Sequence, residues 1–453
     1  MRSAIAALFC ALLPSCVPPS VRASSVPAPS TSAQVGASPV FIEDDFPRAL
    51  REARAKNRPL FIDAWAPWCH TCLSMRSYVF NDSSLRPLAN DFVWLAIDTE
   101  KASNADFLAA YPLQVWPTLW VINAADGKPA LKWLGSATPA ELVSLLGDAS
   151  AAIVQGDTGG EAGAALLRGN QAAARGEVDD AIREYGATLE IAPQDWSKRA
   201  HAVEALAQLL EGKKDYPACV ALAKREISRL PAGTSLVNVA LNGLSCASKS
   251  PLDSGERAEL PALALFVEKL ATDRSLPVLA DDRSGLFEAL VDYYKELGRA
   301  MDTRVVALKW SEFLDGEAAH ARTPAARSVF DAHRMLAYLE IGAPARALPM
   351  LAESEREFPK DYNPPARIAK IYLEMKRYDE ALAAVDRALA NGYGPRKLRL
   401  YSLKADVQRA KGDGTGIAST LREAIAFGKG LPREPHSDKL VAELESRLLE
   451  ASR

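Results

Sequence analysis

Six cysteines are too few to scaffold a chain of 453 residues by disulfides, and 54 Lys+Arg against 57 Asp+Glu leave no basic footprint for DNA or RNA. Apolar runs of about 18 residues are also missing, so the sequence offers no membrane-spanning helix. Gln155 to Gly160 (QGDTGG) is glycine-rich but lacks the Gly-Lys-Ser/Thr of a phosphate loop, and it reads as a flexible joint. No Ser/His/Asp or paired-glutamate constellation stands out. His201, His320, His333 and His436 are scattered without metal-ligand spacing. What remains is an ordinary globular composition, 48% hydrophobic and 25% charged, in a length that suits two to four domains.

The first 40 residues differ from the rest. Arg2 is a minimal basic start, and Ser3 to Leu13 (SAIAALFCALL) is an apolar stretch of signal-peptide length. Two processing sites compete. Val21-Arg22-Ala23 presents small residues to a signal peptidase, which makes 1–23 a cleaved signal. Leu13-Pro14-Ser15-Cys16 resembles a bacterial lipobox, whose cysteine is lipidated. Six of the 29 prolines fall before residue 41, among Ser, Ala and Val, so residues 24–40 are expected to be a disordered tether. Either route exports the chain to the periplasm or cell envelope; the lipobox route adds a lipid anchor at Cys16, and the other removes that cysteine.

Residues 41–150 read as one α/β domain. Leu60 to Ala66 and Phe92 to Thr99 are apolar runs of strand length, and a helical stretch between them begins at Cys69. Ser103 to Tyr111 reads as helix. Thr118 to Asn123 and Pro129 to Gly135 read as a hairpin around Asp126-Gly127. Thr138-Pro139-Ala140-Glu141 opens a last helix with a cap, a first-position proline and an acid. The expected order is βαβαββα. Inside it lies Trp65-Ala66-Pro67-Trp68-Cys69-His70-Thr71-Cys72. A C-x-x-C is half of a zinc site in some proteins, but no second C-x-x-C or H-x-x-x-H accompanies it here. At a strand-to-helix junction it has another logic. The first cysteine meets the free N–H groups and dipole of the helix start, which favour the thiolate, and the second lies one turn along.

With Trp68 before the first cysteine, Asp63 six residues before it, and the Trp116-Pro117-Thr118 step before a strand, residues 58–146 resemble a thioredoxin-fold domain. Met75, Val79-Phe80, Asp82, Phe92-Val93 and Asp98 make them similar to the DsbD C-terminal type of periplasmic thiol–disulfide proteins. The resemblance implies that Cys69 is an exposed nucleophile and Cys72 the resolving thiol. It also implies that Asp63 accepts the Cys72 proton and that cis-Pro117 positions the substrate chain. The redox-active Cys69–Cys72 disulfide serves in place of any cofactor or metal. Trp68 and Trp116 are core residues or substrate-docking ones. His70 is a solvated helix-start residue, or it tunes the Cys69 thiolate and contacts substrate. The lysine that accompanies the buried acid in thioredoxins falls on Trp94, so that coupling is expected to be absent. Direction does not follow from the fold, on which potentials differ by about 150 mV, but the missing Pro-His dipeptide points to a reductase.

After a linker over 151–162, residues 163–450 are Ala-rich helix with recurring offsets. Gly342, Ala347, Leu351, Ser354 and Pro359 are echoed by Lys376, Ala381, Val385, Ala388 and Tyr393, 34 residues on. This pattern resembles tetratricopeptide (TPR) repeats, and Leu166, Gly169 and Tyr185 fit a first repeat. The fold expected is an α/β thioredoxin domain followed by an all-α TPR-like superhelix. Cys219 either fills a small-residue core position or pairs with Cys246 across antiparallel helices. The partners implied are proteins with disulfides, a redox partner supplying electrons, and a protein on the concave TPR surface, with no nucleic acid. The rival reading is a TPR scaffold whose thioredoxin-like domain is a docking module.

Overall fold

The computed structural model describes residues 38–113, 115–156, 158–432 and 435–451. The signal, the lipobox and most of the tether therefore lie outside the described residues. Five strands form one sheet: β1 (Phe41–Glu43), β2 (Leu60–Trp65), β3 (Val93–Asp98), β4 (Thr118–Ile122) and β5 (Pro129–Leu134). Their order is β1-β3-β2-β4-β5, with β1, β3 and β2 parallel and β4 and β5 antiparallel. The three central strands are covered on both faces, which is why they read as unbroken apolar runs. Leu60, Ile62 and Ala64 turn to one face, against α1 (Phe46–Lys56) and α3 (Ala105–Ala110). Phe61 turns to the other with Trp94 and Leu119, against α4 (Pro139–Ser150) and the segment Met75–Phe80 that follows α2 (His70–Ser74).

The strand β1 and helix α1 precede the expected order, making it βαβαβαββα. A three-residue strand carries no periodicity to read. The helix did announce itself, since Asp45 caps it by accepting from the Arg48 N–H at 2.9 Å and Pro47 sits in its first turn.

The rest of the chain is paired helices. Gly169 shows why small residues recur there, because a Cβ at that position would come 2.6 Å from the Tyr185 ring. Cys219 and Cys246 form a disulfide between the helices Tyr216–Glu226 and Thr234–Lys249, with Cα atoms 6.3 Å apart. Of the two readings of Cys219, the bridge is the one the structure adopts.

The joint after α4 does not leave the repeats free to turn. Gly156, Gly159 and Gly160 take left-handed φ angles, and the helix Gly160–Arg175 then runs directly onto β5. Asn170 donates to the Ala130 carbonyl at 3.2 Å, and Lys132 donates to the Ala173 carbonyl at 2.9 Å. Glu141, the acid expected in the first turn, closes a capping box with Thr138 and also accepts from the N–H and hydroxyl of Thr234, at 2.8 and 2.7 Å, at the start of a repeat helix. The described residues all belong to one compact unit.

Candidate redox site at the seam between sheet and repeats

Cys69 is the N-cap of α2, and its Sγ accepts from the Cys72 N–H at 3.0 Å. Its β-region backbone turns the chain from β2 into the helix, so the Cys69 sulfur lies where the first-turn N–H groups point. The two cysteines are disulfide-bonded, with Cα atoms 5.2 Å apart. Trp65, Trp68 and Trp116 pack around them, and the Trp116–Pro117 peptide bond is cis, as the resemblance implied. The expected exposure of Cys69 does not hold. It is 5% exposed and Cys72 is fully buried.

The cover comes from the repeats. Asn363 donates to the Pro67 carbonyl at 3.1 Å. Trp68 Nε1 donates to Glu100 at 2.7 Å, Glu100 accepts from the Arg396 N–H at 2.6 Å, and the Arg396 guanidinium lies 5.2 Å from the Trp68 ring centroid. Gly394 makes this fit possible, since a Cβ there would come 2.0 Å from the Glu100 carbonyl oxygen. Beyond it, Tyr393 donates to Asp98 at 2.5 Å. Trp116 is held within the sheet domain, donating from Nε1 to Thr99 at 2.8 Å, and its ring centroid lies 5.2 Å from that of Trp68.

His70 is not a freely solvated helix-start residue, since its side chain, 33% exposed, is held onto the repeats. Its Nδ1 donates to Asp281 at 2.8 Å, and Thr71 donates to the same carboxylate at 2.8 Å, so one repeat residue holds both side chains between the cysteines. Burial works against charge on His70, but Asp281 more than offsets it and the imidazole's pKa is raised. The Asp281 carboxyl also suffers from burial, and His70 leads the effects that bring it below its usual value. His333, with its ring centroid 3.9 Å from that of His70, is pushed down to about 3 by burial and then by His70.

Asp63 is fully buried in β2, and neither carboxylate oxygen has a hydrogen-bond partner among the described residues. Burial pushes its pKa up to about 7, against the pull of Arg76. The expected loss of a cationic partner is thus made good from elsewhere. Trp94 does fill the core, but Arg76 brings Nη1 within 3.9 Å of Asp63, lies over the Trp65 ring and pairs with Glu43. Arg76 has a signal in the sequence, being one turn beyond Cys72 on the same helical segment. Asp281, Asn363 and Arg396 have none, because only the folded repeats bring them here; Glu100 follows β3 in the sheet domain and gains its role only when Arg396 meets it.

The comparisons with known proteins agree with this geometry. Residues 46–150 match the family model described as a thioredoxin-like domain. This part of the chain is a thioredoxin-like domain. Residues 338–406 match the model for tetratricopeptide repeats. The thiol:disulfide interchange protein DsbD of Pseudoalteromonas atlantica is 30% identical over 78 residues, which are 17% of this chain and 13% of that protein. Among solved structures, a tetratricopeptide repeat protein from Parabacteroides merdae is 12% identical with a TM-score of 0.40, covering 63% of this chain and 98% of its own. A thermophilic TPR protein from Thermus thermophilus is 18% identical with a TM-score of 0.26, covering 55% and 98%.

Proposed function

We propose that the chain is an exported thiol–disulfide oxidoreductase that acts as a reductase on protein disulfides. One observation carries the reading: a Cys69–Cys72 disulfide at a helix N-terminus, packed against the cis-Pro117 step. In the reduced protein, the Cys69 thiolate attacks one sulfur of a substrate disulfide. That S–S bond breaks, a mixed disulfide forms, and the first substrate sulfur leaves as a thiolate. Cys72, giving its proton to Asp63, then attacks Cys69 and expels the second substrate thiolate. Two electrons pass to the substrate, the Cys69–Cys72 disulfide is restored, and a separate reductant must supply two electrons for the next cycle. The fold's own disulfide is the only redox group this scheme uses. The TPR surface recruits the protein partner, and the N-terminal segment directs the chain to the periplasm or envelope, anchored through Cys16.

The test is insulin reduction by the full chain with dithiothreitol as electron source. Catalysis lost in Cys69→Ser, and a trapped mixed disulfide in Cys72→Ser, are the expected results. For export, Cys16→Ala should move the protein from the detergent phase to the soluble fraction, whereas a wild-type N-terminus at Ser24 excludes the anchor.

A second reading has its own support. The disulfide is covered by the repeats and Cys69 is 5% exposed, which suits a scaffold whose thioredoxin-like domain is a docking module. Absence of insulin reduction, with the disulfide still reducible by small thiols, would favour it.

A further inference from the structure

The redox scheme leaves unused a group of side chains that only the fold assembles. His70 at the start of α2, Asp281 on the helix Ala280–Glu296 and His333 on the helix Asp331–Glu340 each offer a ligand atom, and these atoms lie within 4.8 Å of one another. Asp281 and His333 are each 2% or less of a side chain's full exposure away from complete burial as residues. Glu288, two turns beyond Asp281 on the same helix, lies outside that triad but brings Oε2 to 3.5 Å from His333 Nε2, and its side chain, 41% exposed, has room to swing in as a fourth donor.

The rings and carboxylate are held from behind. His333 Nδ1 is 2.6 Å from Ser284 Oγ, which is itself fixed by the Trp310 N–H at 2.6 Å. That leaves Nε2 as the ring nitrogen facing Glu288. Asp281 is steadied by Thr71. Proteins orient metal ligands in this way, with one ring nitrogen or oxygen on a polar neighbour and the other on the ion. His70 Nδ1 and Asp281 now sit at hydrogen-bond distance, 2.8 Å. Two ligands sharing a tetrahedral ion at ~2.0–2.1 Å stand roughly 3.3 Å apart, so the pair must open by about 0.5 Å, which side-chain rotation supplies. Arg367 acts on both imidazoles and disfavours a cation, while two carboxylates act in its favour. Two imidazoles and two carboxylates suit zinc and its first-row neighbours; magnesium and calcium prefer all-oxygen sets.

We propose that His70, Asp281, His333 and Glu288 form a binding site for a divalent transition ion of the zinc class, placed at the seam between the thioredoxin-like domain and the repeats. One ligand belongs to the cysteine motif and three to the repeats, so the bound ion clasps the two parts together beside the disulfide. The inference does not depend on the redox reading.

The experiment uses the full chain, oxidised so that the Cys69–Cys72 and Cys219–Cys246 sulfurs cannot ligate, stripped with chelator and titrated with Zn²⁺ against a chromogenic chelator. Co²⁺ absorption reports the coordination geometry. The expected result is one ion per chain with Kd below about 1 µM, weakened at least tenfold in His70→Gln and in Glu288→Gln. His320→Gln, a histidine outside the cluster, should bind as the wild type does. His333→Asn should abolish binding, and if that buried change unfolds the chain, the two more exposed variants decide. No binding by the wild type at ~100 µM Zn²⁺ would leave a hydrogen-bonded seam and overturn the proposal. Binding unchanged in both His70→Gln and Glu288→Gln would overturn it as well.

Discussion

Arg76 stands 3.9 Å from Asp63, on the only side from which a cation reaches this buried carboxyl among the described residues. Glu43 opposes it and burial dominates both, which sets the Asp63 pKa at about 7. A folded pKa raised above the unfolded value of 3.8 means that the native state holds the proton longer. Stability from this group is therefore full at low pH, falls as pH climbs from about 4 to about 7, and is level above that. The loss is on the order of 4 kcal/mol. Asp63→Asn should gain stability at pH 8 relative to the wild type but not at pH 4, as measured by urea unfolding of the oxidised chain. An unchanged difference between the two pH values would remove Asp63 as the cause. Removing Arg76, as Arg76→Met, should raise the folded pKa further and carry the loss of stability on to higher pH.

Glu141 caps two helices at once, α4 through its capping box and the helix Thr234–Lys249 through the Thr234 N–H. A lost capping contact costs about 1 kcal/mol, so Glu141→Ala, which keeps the Thr138 cap but loses side-chain contacts at both helix starts, should cost roughly 2 kcal/mol in urea unfolding, more than Asp45→Ala, which loses one cap. Equal losses would mean that the second contact contributes nothing.

The Cys219–Cys246 bridge closes a loop with a sequence separation of 27. In the chain-entropy account this is worth about 3–4 kcal/mol, and a Cys219→Ala/Cys246→Ala pair should lose that much. Peptide mapping without reductant checks the premise: both residues found as free thiols after export would end it.

Asn363 and Arg396 hold the repeats onto Pro67 and Trp68, directly before Cys69 in the chain. Replacing both with Ala should speed reduction of the Cys69–Cys72 disulfide by dithiothreitol several-fold. Trp68 and Trp116 lie against the disulfide, so their fluorescence should report its opening. A rate equal to the wild type's would show that the repeats do not limit access.

How much of this was legible in the sequence depended on the range of the interaction. Strand runs, the capping of α4, the cysteine motif and the spacing of Ala347 and Ala381 are local or periodic, and each was readable, while cis-Pro117 came only through the family resemblance. The strand β1 was too short for a pattern. Asp281 is 211 residues from His70, and no composition or spacing ties them. The joint misled for a physical reason. Its glycines permit freedom, but whether freedom is used depends on what the next helix touches. Arg76 lay between these cases, a nearby cation whose relevance appears only once Asp63 is known to have no other.

The contact of the helix Gly160–Arg175 with β5 has a consequence for what counts as a separable piece. β5 ends the sheet, and an end strand normally leaves a row of bare carbonyl and amide groups. Here Asn170 and Gln208 take the carbonyls of Ala130 and Leu134, while Lys132 between them reaches back to Ala173. Side chains of the repeats thus stand where a sixth strand would otherwise pair. A fragment cut at residue 150 keeps the thioredoxin pattern but loses its hem, and two such fragments have raw margins to offer one another. The shortest piece that keeps this margin closed extends past Gln208, well into the helices that the family boundary leaves out.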